Sequence, residues 1–215
     1  MISFDVESEL LGRGLWAIGL DEAGRGALAG PVVAAAVVLH PQAIPAGIDD
    51  SKRLPAERRA ELAEAIRSSA LAWGVGVVEA ERIDAVNILQ ATFDAMHEAI
   101  DQCHQQLGGS PERYHLLVDG NRFRRHAIGH TTIVAGDASV VSIAAASILA
   151  KTHRDKIMTE VLARQFPAYG FDRHKGYGTA FHREALRAGG PCAEHRRSFL
   201  GKILDVKEHV PGNRQ

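Results

Sequence analysis

Residues 32–39, Val-Val-Ala-Ala-Ala-Val-Val-Leu, place eight apolar side chains in succession. A strand with one wet face alternates polar and apolar residues. This run does not alternate, so it must be covered on both faces. A layered fold follows, with helices closing both sides of a sheet. The cover is legible elsewhere. Leu89, Phe93, Met96, Ile100, Cys103 and Leu107 recur at helical intervals, forming one apolar stripe that stops at Gly108-Gly109 and Pro111. A second long helix is expected from Ser139 to about Gln165, with an alanine-rich first half suited to close packing. Pro55 suits the first turn of a helix carrying Leu62 and Ile66 on one face.

Further strand-like runs are Leu15–Leu20, Leu71–Val78, Tyr114–Val118 and Thr131–Ala135. The first three strands have short connections and predict an antiparallel meander. The later strands alternate with helices and predict parallel additions. The expectation is an α/β fold with a mixed five-stranded sheet flanked by helices. At 215 residues with no linker composition, one domain spanning 1–215 is expected, its core at about 15–200. Loops and short helices fill the chain to about Lys202, and a tail from about 203 to 215 is expected to be flexible.

Several classes are disfavoured. The apolar run Val140–Ala150 is interrupted by Ser142 and Ser147 and is too short for a bilayer. The start, MISFDVESEL, has acids where a signal peptide needs positive charge, so no export is expected. Cys103 and Cys192 form no metal-ligand spacing, and a reducing cytoplasm fits them. Charge is split along the chain: residues 1–113 carry a net −8 and residues 114–202 a net +7. A basic half suits a surface that meets polyanions, although solvated faces give the same count.

Four acids stand where strands end or loops begin: Asp21 and Glu22 in GLDEAGRG, Asp119 in LLVDGN, and Asp137 in AGDASVVS. Each alone could cap a turn. Together they would repel one another unless hard cations neutralise them, and an all-oxygen set without thiolates suits Mg²⁺ or Mn²⁺. Two such ions suit in-line attack on a phosphodiester. Gly24-Arg25-Gly26 follows the first acids, either as a tight connection or as a turn that lets backbone approach a ligand. With Gly30 it mimics a dinucleotide fingerprint, but Pro31 and a valine run follow where a helix should open.

Ser51-Lys52-Arg53 precedes the Pro55 helix as a phosphate site or a solvated turn. Ser147, Lys151 and Asp155 share one helix face, with Asp155 read as the salt-bridge partner of Lys151. His174-Lys175-Gly176-Tyr177-Gly178-Thr179 would present the Tyr177 ring for stacking. His195-Arg196-Arg197 reads as a phosphate contact or a solvated end, and the other histidines as scattered.

In this order GLDEAGRG, DSKRL, VDGN, GDASVVSIAAASILAK and HKGYGT resemble bacterial ribonuclease HII, the type 2 ribonuclease H family, from about Leu15 to Leu200. The resemblance implies the ribonuclease H-like fold with a C-terminal helical extension. It implies endonucleolytic cleavage of RNA in RNA–DNA hybrids and incision 5′ of ribonucleotides embedded in duplex DNA, leaving 3′-hydroxyl and 5′-phosphate ends, with roles in ribonucleotide removal and RNA primer clearance. The family's catalytic, metal-binding acids match Asp21, Glu22, Asp119 and Asp137. Its ribonucleotide-sensing residues match Gly24, Arg25, Gly26 and Tyr177, and Lys52, Ser147 and Lys151 are expected at the nucleic-acid surface. The implied cofactor is Mn²⁺ or Mg²⁺. A cytoplasmic monomer is expected, without the clamp-binding tail of some relatives. A nucleotide-dependent oxidoreductase would rest on the GxG turn alone. A non-catalytic hybrid-binding module would not need four acids.

Overall fold

The computed structural model describes residues 2–204. The principal elements are α1 (Asp5–Gly12), β1 (Trp16–Ala23), β2 (Val32–Val38), α2 (Ala56–Ser69), β3 (Ala72–Val78), α3 (Ala80–Val86), α4 (Ile88–Leu107), β4 (Tyr114–Asp119), β5 (Gly129–Ile133) and α5 (Val141–Lys156). The five strands form one sheet in the order β3-β2-β1-β4-β5. β1, β2 and β3 pair antiparallel, whereas β4 joins β1 and β5 joins β4 in parallel, as the connection lengths predict.

All seven residues of β2 are buried. Ala34 and Ala36 face the cluster formed with Met96 and Ile100 of α4. Val33, Ala35 and Val37 face the opposite cluster, with Leu62 and Ile66 of α2 and Ala145, Ala146 and Leu149 of α5. The helices lie close because the facing residues are small. At Gly19 of β1 a Cβ would sit 2.2 Å from the Ser142 carbonyl carbon, so α5 rests with backbone against backbone over the central strand.

Two devices complete the layers. The outer edge of β3 would expose unpaired N–H groups. Glu98, Gln102 and Gln106, spaced one turn apart on α4, accept from the N–H groups of Val77, Val75 and Trp73 at 3.2, 3.1 and 3.3 Å. At the start of α5, the buried Glu7 of α1 accepts from Ser142 N–H at 2.8 Å and satisfies a first-turn donor.

Several boundaries differ from the sequence reading. β1 continues past Leu20 through Asp21 and Glu22, because its ladder to β2 runs on to Ala23 opposite Val33. Pro55 precedes α2 as its cap residue instead of occupying the first turn. The helix expected from Ser139 begins at Val141, after a 3₁₀ turn at Gly136–Ala138, and widens into π-helical geometry at Ile157–Leu162 before ending at Gln165. α1 and α3, of 8 and 7 residues, are too short to show a period. Ile203 and Leu204, expected in a flexible tail, form part of a short helix, Gly201–Leu204, with Ile203 buried beside Leu186 and Leu200; the rest of that tail lies outside the described residues. Among the described residues no helix is long and apolar enough to cross a membrane.

Gly19→Ala tests the contact between β1 and α5. The added methyl must push α5 away, so a loss of about 1–3 kcal/mol is expected in urea unfolding. An unchanged midpoint would contradict the backbone contact.

Candidate active site

The C-terminal ends of β1 and β4 lie side by side because the two strands run parallel. That adjacency gathers acids that are far apart in sequence. Asp21, on the α5 side of β1, is 5% exposed. Burial pushes its carboxyl well above the usual carboxylate range, the charges of Glu22 and Asp119 push further, and the Ser147 hydroxyl and Glu22 N–H oppose the shift. Glu22 is also raised by burial, with Arg25 opposing. Asp119, the last residue of β4, is raised by burial and then by Asp137. Its Oδ1 accepts from Gly136 N–H at 2.7 Å, which ties β4 to the turn carrying Asp137. Asp21 and Glu22 thus lie within β1, Asp119 ends β4, and only Asp137 follows its strand.

Cations answer this charge. Arg25 meets Glu22 at 3.2 Å, and Lys52 meets Asp137 at 2.9 Å. Ser51 does not face solvent as a phosphate ligand; its buried hydroxyl pairs with that of Ser147 at 2.9 Å. Lys151 pairs with Asp155 at 2.5 Å, as the helix spacing predicts, and Arg59 of α2 also holds Asp155, at 3.1 Å. Burial lowers the Lys151 pKa, and Asp155 partly restores it.

One cavity of about 260 Å³ is lined by Asp21, Glu22, Gly24, Arg25, Gly26, Ser51, Lys52, Asp119, Ser147, Lys151 and Tyr177. It unites ten of the eleven residues that the family resemblance implied for catalysis and nucleic-acid binding; the eleventh, Asp137, joins it through Lys52. Gly24 has φ +95°, and a Cβ there would strike the Arg154 guanidinium. Gly26 has ordinary φ, and a Cβ there would meet nothing within 4 Å, so no contact inside the protein requires glycine at that position. A smaller hollow beside the acids adds Asn121 and Arg122, which the sequence reading did not single out.

Tyr177 is 38% exposed. Two cations lie over its ring, Lys151 Nζ at 5.9 Å and Arg154 Cζ at 5.5 Å from the centroid. Behind it His182, one of the histidines read as scattered, meets His195. His182 and His195 are buried, with their Nε2 atoms 2.9 Å apart. The network assigns the protons. Cys192 N–H donates to His195 Nδ1 at 3.0 Å, so the His195 proton sits on Nε2 and is donated to His182. His182 Nδ1–H then donates to the Tyr177 carbonyl at 3.0 Å. His195 is therefore neither a phosphate contact nor a solvated end, and Arg196 is also fully buried. Burial is a tertiary property, and no local signal marks it.

The mixed β3-β2-β1-β4-β5 sheet, with carboxylates at the paired ends of its central strands, defines a nuclease of the ribonuclease H-like class. The matching family model is Ribonuclease HII, over residues 18–202. The chain belongs to the ribonuclease HII family, which cleaves RNA in RNA–DNA hybrids, and is a ribonuclease H endonuclease. It is 56% identical to ribonuclease HII of Chlorobaculum tepidum, over 96% of this chain and 100% of that one. Ribonuclease HII of Nitratidesulfovibrio vulgaris is 49% identical, covering 85% of each chain. Among solved structures, ribonuclease HII of Archaeoglobus fulgidus in complex with PCNA superposes with a TM-score of 0.69 at 25% identity, covering 87% of this chain and 96% of that one. Bst-RNase HIII in complex with Mn²⁺ superposes with a TM-score of 0.63 at 26% identity, covering 82% of this chain and 63% of that one. Enzymes of this family depend on divalent metal ions. The antiparallel β1–β2 connection also excludes the strand–helix unit of a dinucleotide site.

Burial lowers the His195 pKa to about 4, and His182 adds to the shift. An unfolded histidine titrates at about 6.5, so between these values the unfolded chain binds more protons. This histidine's contribution to stability is complete above the unfolded value and is lost as pH falls toward the folded one. Imidazole NMR should find the His195 ring neutral down to about pH 4. Titration near 6.5 would contradict a ring kept neutral by burial.

Proposed function

We propose that this chain incises duplex DNA on the 5′ side of an embedded ribonucleotide, and cuts the RNA strand of hybrids, with two Mg²⁺ or Mn²⁺ ions held by Asp21, Glu22, Asp119 and Asp137. The observation that carries the reading is the single cavity that sets the acids beside the Gly24-Arg25-Gly26 turn and Tyr177. Among the described residues no three acids, histidines or cysteines are already closed into a ligand cage. The donor set nevertheless fits a hard divalent cation. It is all oxygen, and Asp21, Glu22 and Asp119 each hold a raised pKa that a bound cation would relieve. To hold the ions, Glu22 and Asp137 would exchange their Arg25 and Lys52 partners for metal.

When bound, the ions would supply a hydroxide nucleophile and neutralise charge on the leaving oxygen, which would give 3′-hydroxyl and 5′-phosphate ends. Asp21 would serve as the shared ligand, Glu22 and Asp119 would hold one ion, and Asp137 would hold the other. Lys52 and Lys151 hold phosphates, with Ser147 beside them. The turn at Gly24-Arg25-Gly26 brings backbone groups to the ribose 2′-hydroxyl, the one group that distinguishes it from deoxyribose. The space over Gly26 is where that sugar approaches. Tyr177 stacks on the neighbouring sugar and reaches the same hydroxyl. The whole chain acts as one domain and a cytoplasmic monomer in ribonucleotide removal and primer clearance.

A duplex with one ribonucleotide, digested with and without Mg²⁺ or Mn²⁺ and mapped to the nucleotide, tests the reading. Cutting that persists in excess chelator, or falls elsewhere, would defeat it. Asp21→Asn should abolish cutting and weaken Mn²⁺ binding in calorimetry. Its metal-free thermal midpoint should be no lower than wild type, because a buried, repelled charge is removed. Tyr177→Phe keeps the ring and loses one hydrogen bond, about 0.5–1.5 kcal/mol in kcat/KM. Tyr177→Ala should lose more, chiefly on the single ribonucleotide. Equal rates for the alanine variant and wild type would reduce Tyr177 to packing. Gly26→Ala should leave stability within about 0.5 kcal/mol and still impair cutting of the single ribonucleotide. Wild-type kinetics there would remove the sugar from that space.

A further inference from the structure

The connection between β1 and β2, residues Gly24 to Pro31, belongs to no helix or strand. Its own backbone bond is Ala27 N–H to the Gly24 carbonyl at 3.3 Å. The carbonyls of this segment are instead held by two arginines from distant parts of the chain. Arg196 donates to the carbonyls of Arg25, Ala27 and Gly30 at 2.8–3.0 Å. Arg154, near the end of α5, donates to those of Ala29 and Pro31 at 3.0 and 2.8 Å. Five of the eight carbonyls are thus set by two guanidinium planes.

Both arginines are 0% exposed. Neither meets a carboxylate at salt-bridge distance among the described residues. Burying a cation without a carboxylate in contact is costly, and here neutral carbonyls, with the Tyr177 ring 5.5 Å from Arg154 and the Phe199 ring 5.4 Å from Arg196, repay it. A planar fork of five N–H donors fixes the relative positions of several carbonyls, which a flexible ammonium cannot do.

Arg154 makes one more bond, and it crosses to the other sensing element. Its third donor reaches the Lys175 carbonyl at 3.0 Å, and its guanidinium lies 5.5 Å from the centre of the Tyr177 ring. The two loops also touch directly, Leu28 N–H donating to the Gly176 carbonyl at 2.8 Å. Gly24 sits on Arg154 so closely that a Cβ would fall 2.0 Å from Nε. One buried guanidinium therefore packs against Gly24 of the turn and bonds to the loop that carries Tyr177.

We propose that Arg154 and Arg196 are positioning residues for recognition of a lone ribonucleotide. They hold the turn and the tyrosine at the spacing of one sugar, without touching nucleic acid themselves. The proposal rests on the sensing roles given above. The acids are held separately, by the β1 and β4 ladders and the Gly136 N–H. Loosening the arginines should therefore disturb sensing before it disturbs the acids. An extended hybrid offers a 2′-hydroxyl in every register, so a displaced turn still finds one. A lone ribonucleotide offers a single register.

The test compares kcat/KM on a duplex with one ribonucleotide and on a uniform RNA–DNA hybrid. Arg154→Lys and Arg196→Lys keep the charge and lose the fork. The ratio of the two substrates should fall at least tenfold in Arg154→Lys, mainly through KM, and by less in Arg196→Lys. In a Tyr177→Ala background Arg154→Lys should cost a smaller factor than in wild type, because the ring it places is already gone. Equal fractional losses on both substrates, full multiplicativity with Tyr177→Ala, or no loss would each overturn the proposal.

Should a lysine variant fail to fold, Gly176→Ala separates the loops with both arginine side chains retained, by displacing the Ala29 carbonyl that Arg154 holds. Its Cβ would sit 2.4 Å from the Ala29 carbonyl oxygen, and the same fall in ratio is expected. An unchanged ratio there overturns the spacing argument. Wild-type protein that cuts the hybrid but ignores the lone ribonucleotide would overturn the sensing reading beneath it.

Discussion

Carboxylates at the end of a strand buried on both faces are the constraint around which this molecule is arranged. Asp21 cannot move to water, because β1 is paired on both sides and overlaid by α5 at Gly19. Nor can it be neutralised by a partner of its own, since the nearby cations are engaged by Glu22, Asp137 and Asp155. Stability is given up at this point, and the ladders of the central strands resist the repulsion. A metal-dependent nuclease needs such a place: charge held close by a rigid frame, and relieved only when cations arrive.

The last quarter of the chain serves the first. Arg196 and the His182–His195 pair do not contribute side chains to the cavity. They hold carbonyls of the β1–β2 connection and of Tyr177 from behind. Arg154 does the same from α5, just before that helix widens into its π-helical stretch. The proposed recognition surface is thus two irregular loops held by buried polar groups. Irregular backbone carries unpaired carbonyls, and guanidinium and imidazole donors satisfy them while adding stiffness.

The far edge of the sheet obeys the same rule with different residues. Glu98, Gln102 and Gln106 close β3 against further pairing, leaving the β1–β4 end to carry the acids. Each part of the fold answers the question of where backbone hydrogen bonds go, with strands in the centre and side chains at the borders.

The sequence by itself determined the layers and the direction of the strands. The uninterrupted Val32–Leu39 run demanded cover on both faces, the α4 stripe supplied it, and connection lengths separated antiparallel from parallel pairing. It also located the acids, the glycine turn and Tyr177, because unusual residues in short motifs carry their chemistry locally. Only the tertiary structure decided which basic residues face solvent and which lie inside. Nothing in His195-Arg196-Arg197 separates a buried guanidinium from a solvated one, since its partners are carbonyls about 170 residues away, and every residue has a carbonyl. His182, read as scattered, became one half of a proton-ordered pair with His195 for the same reason. Side-chain pattern is written in the local sequence, whereas backbone acceptors are chemically identical along the chain and acquire meaning only when the fold leaves some of them unpaired.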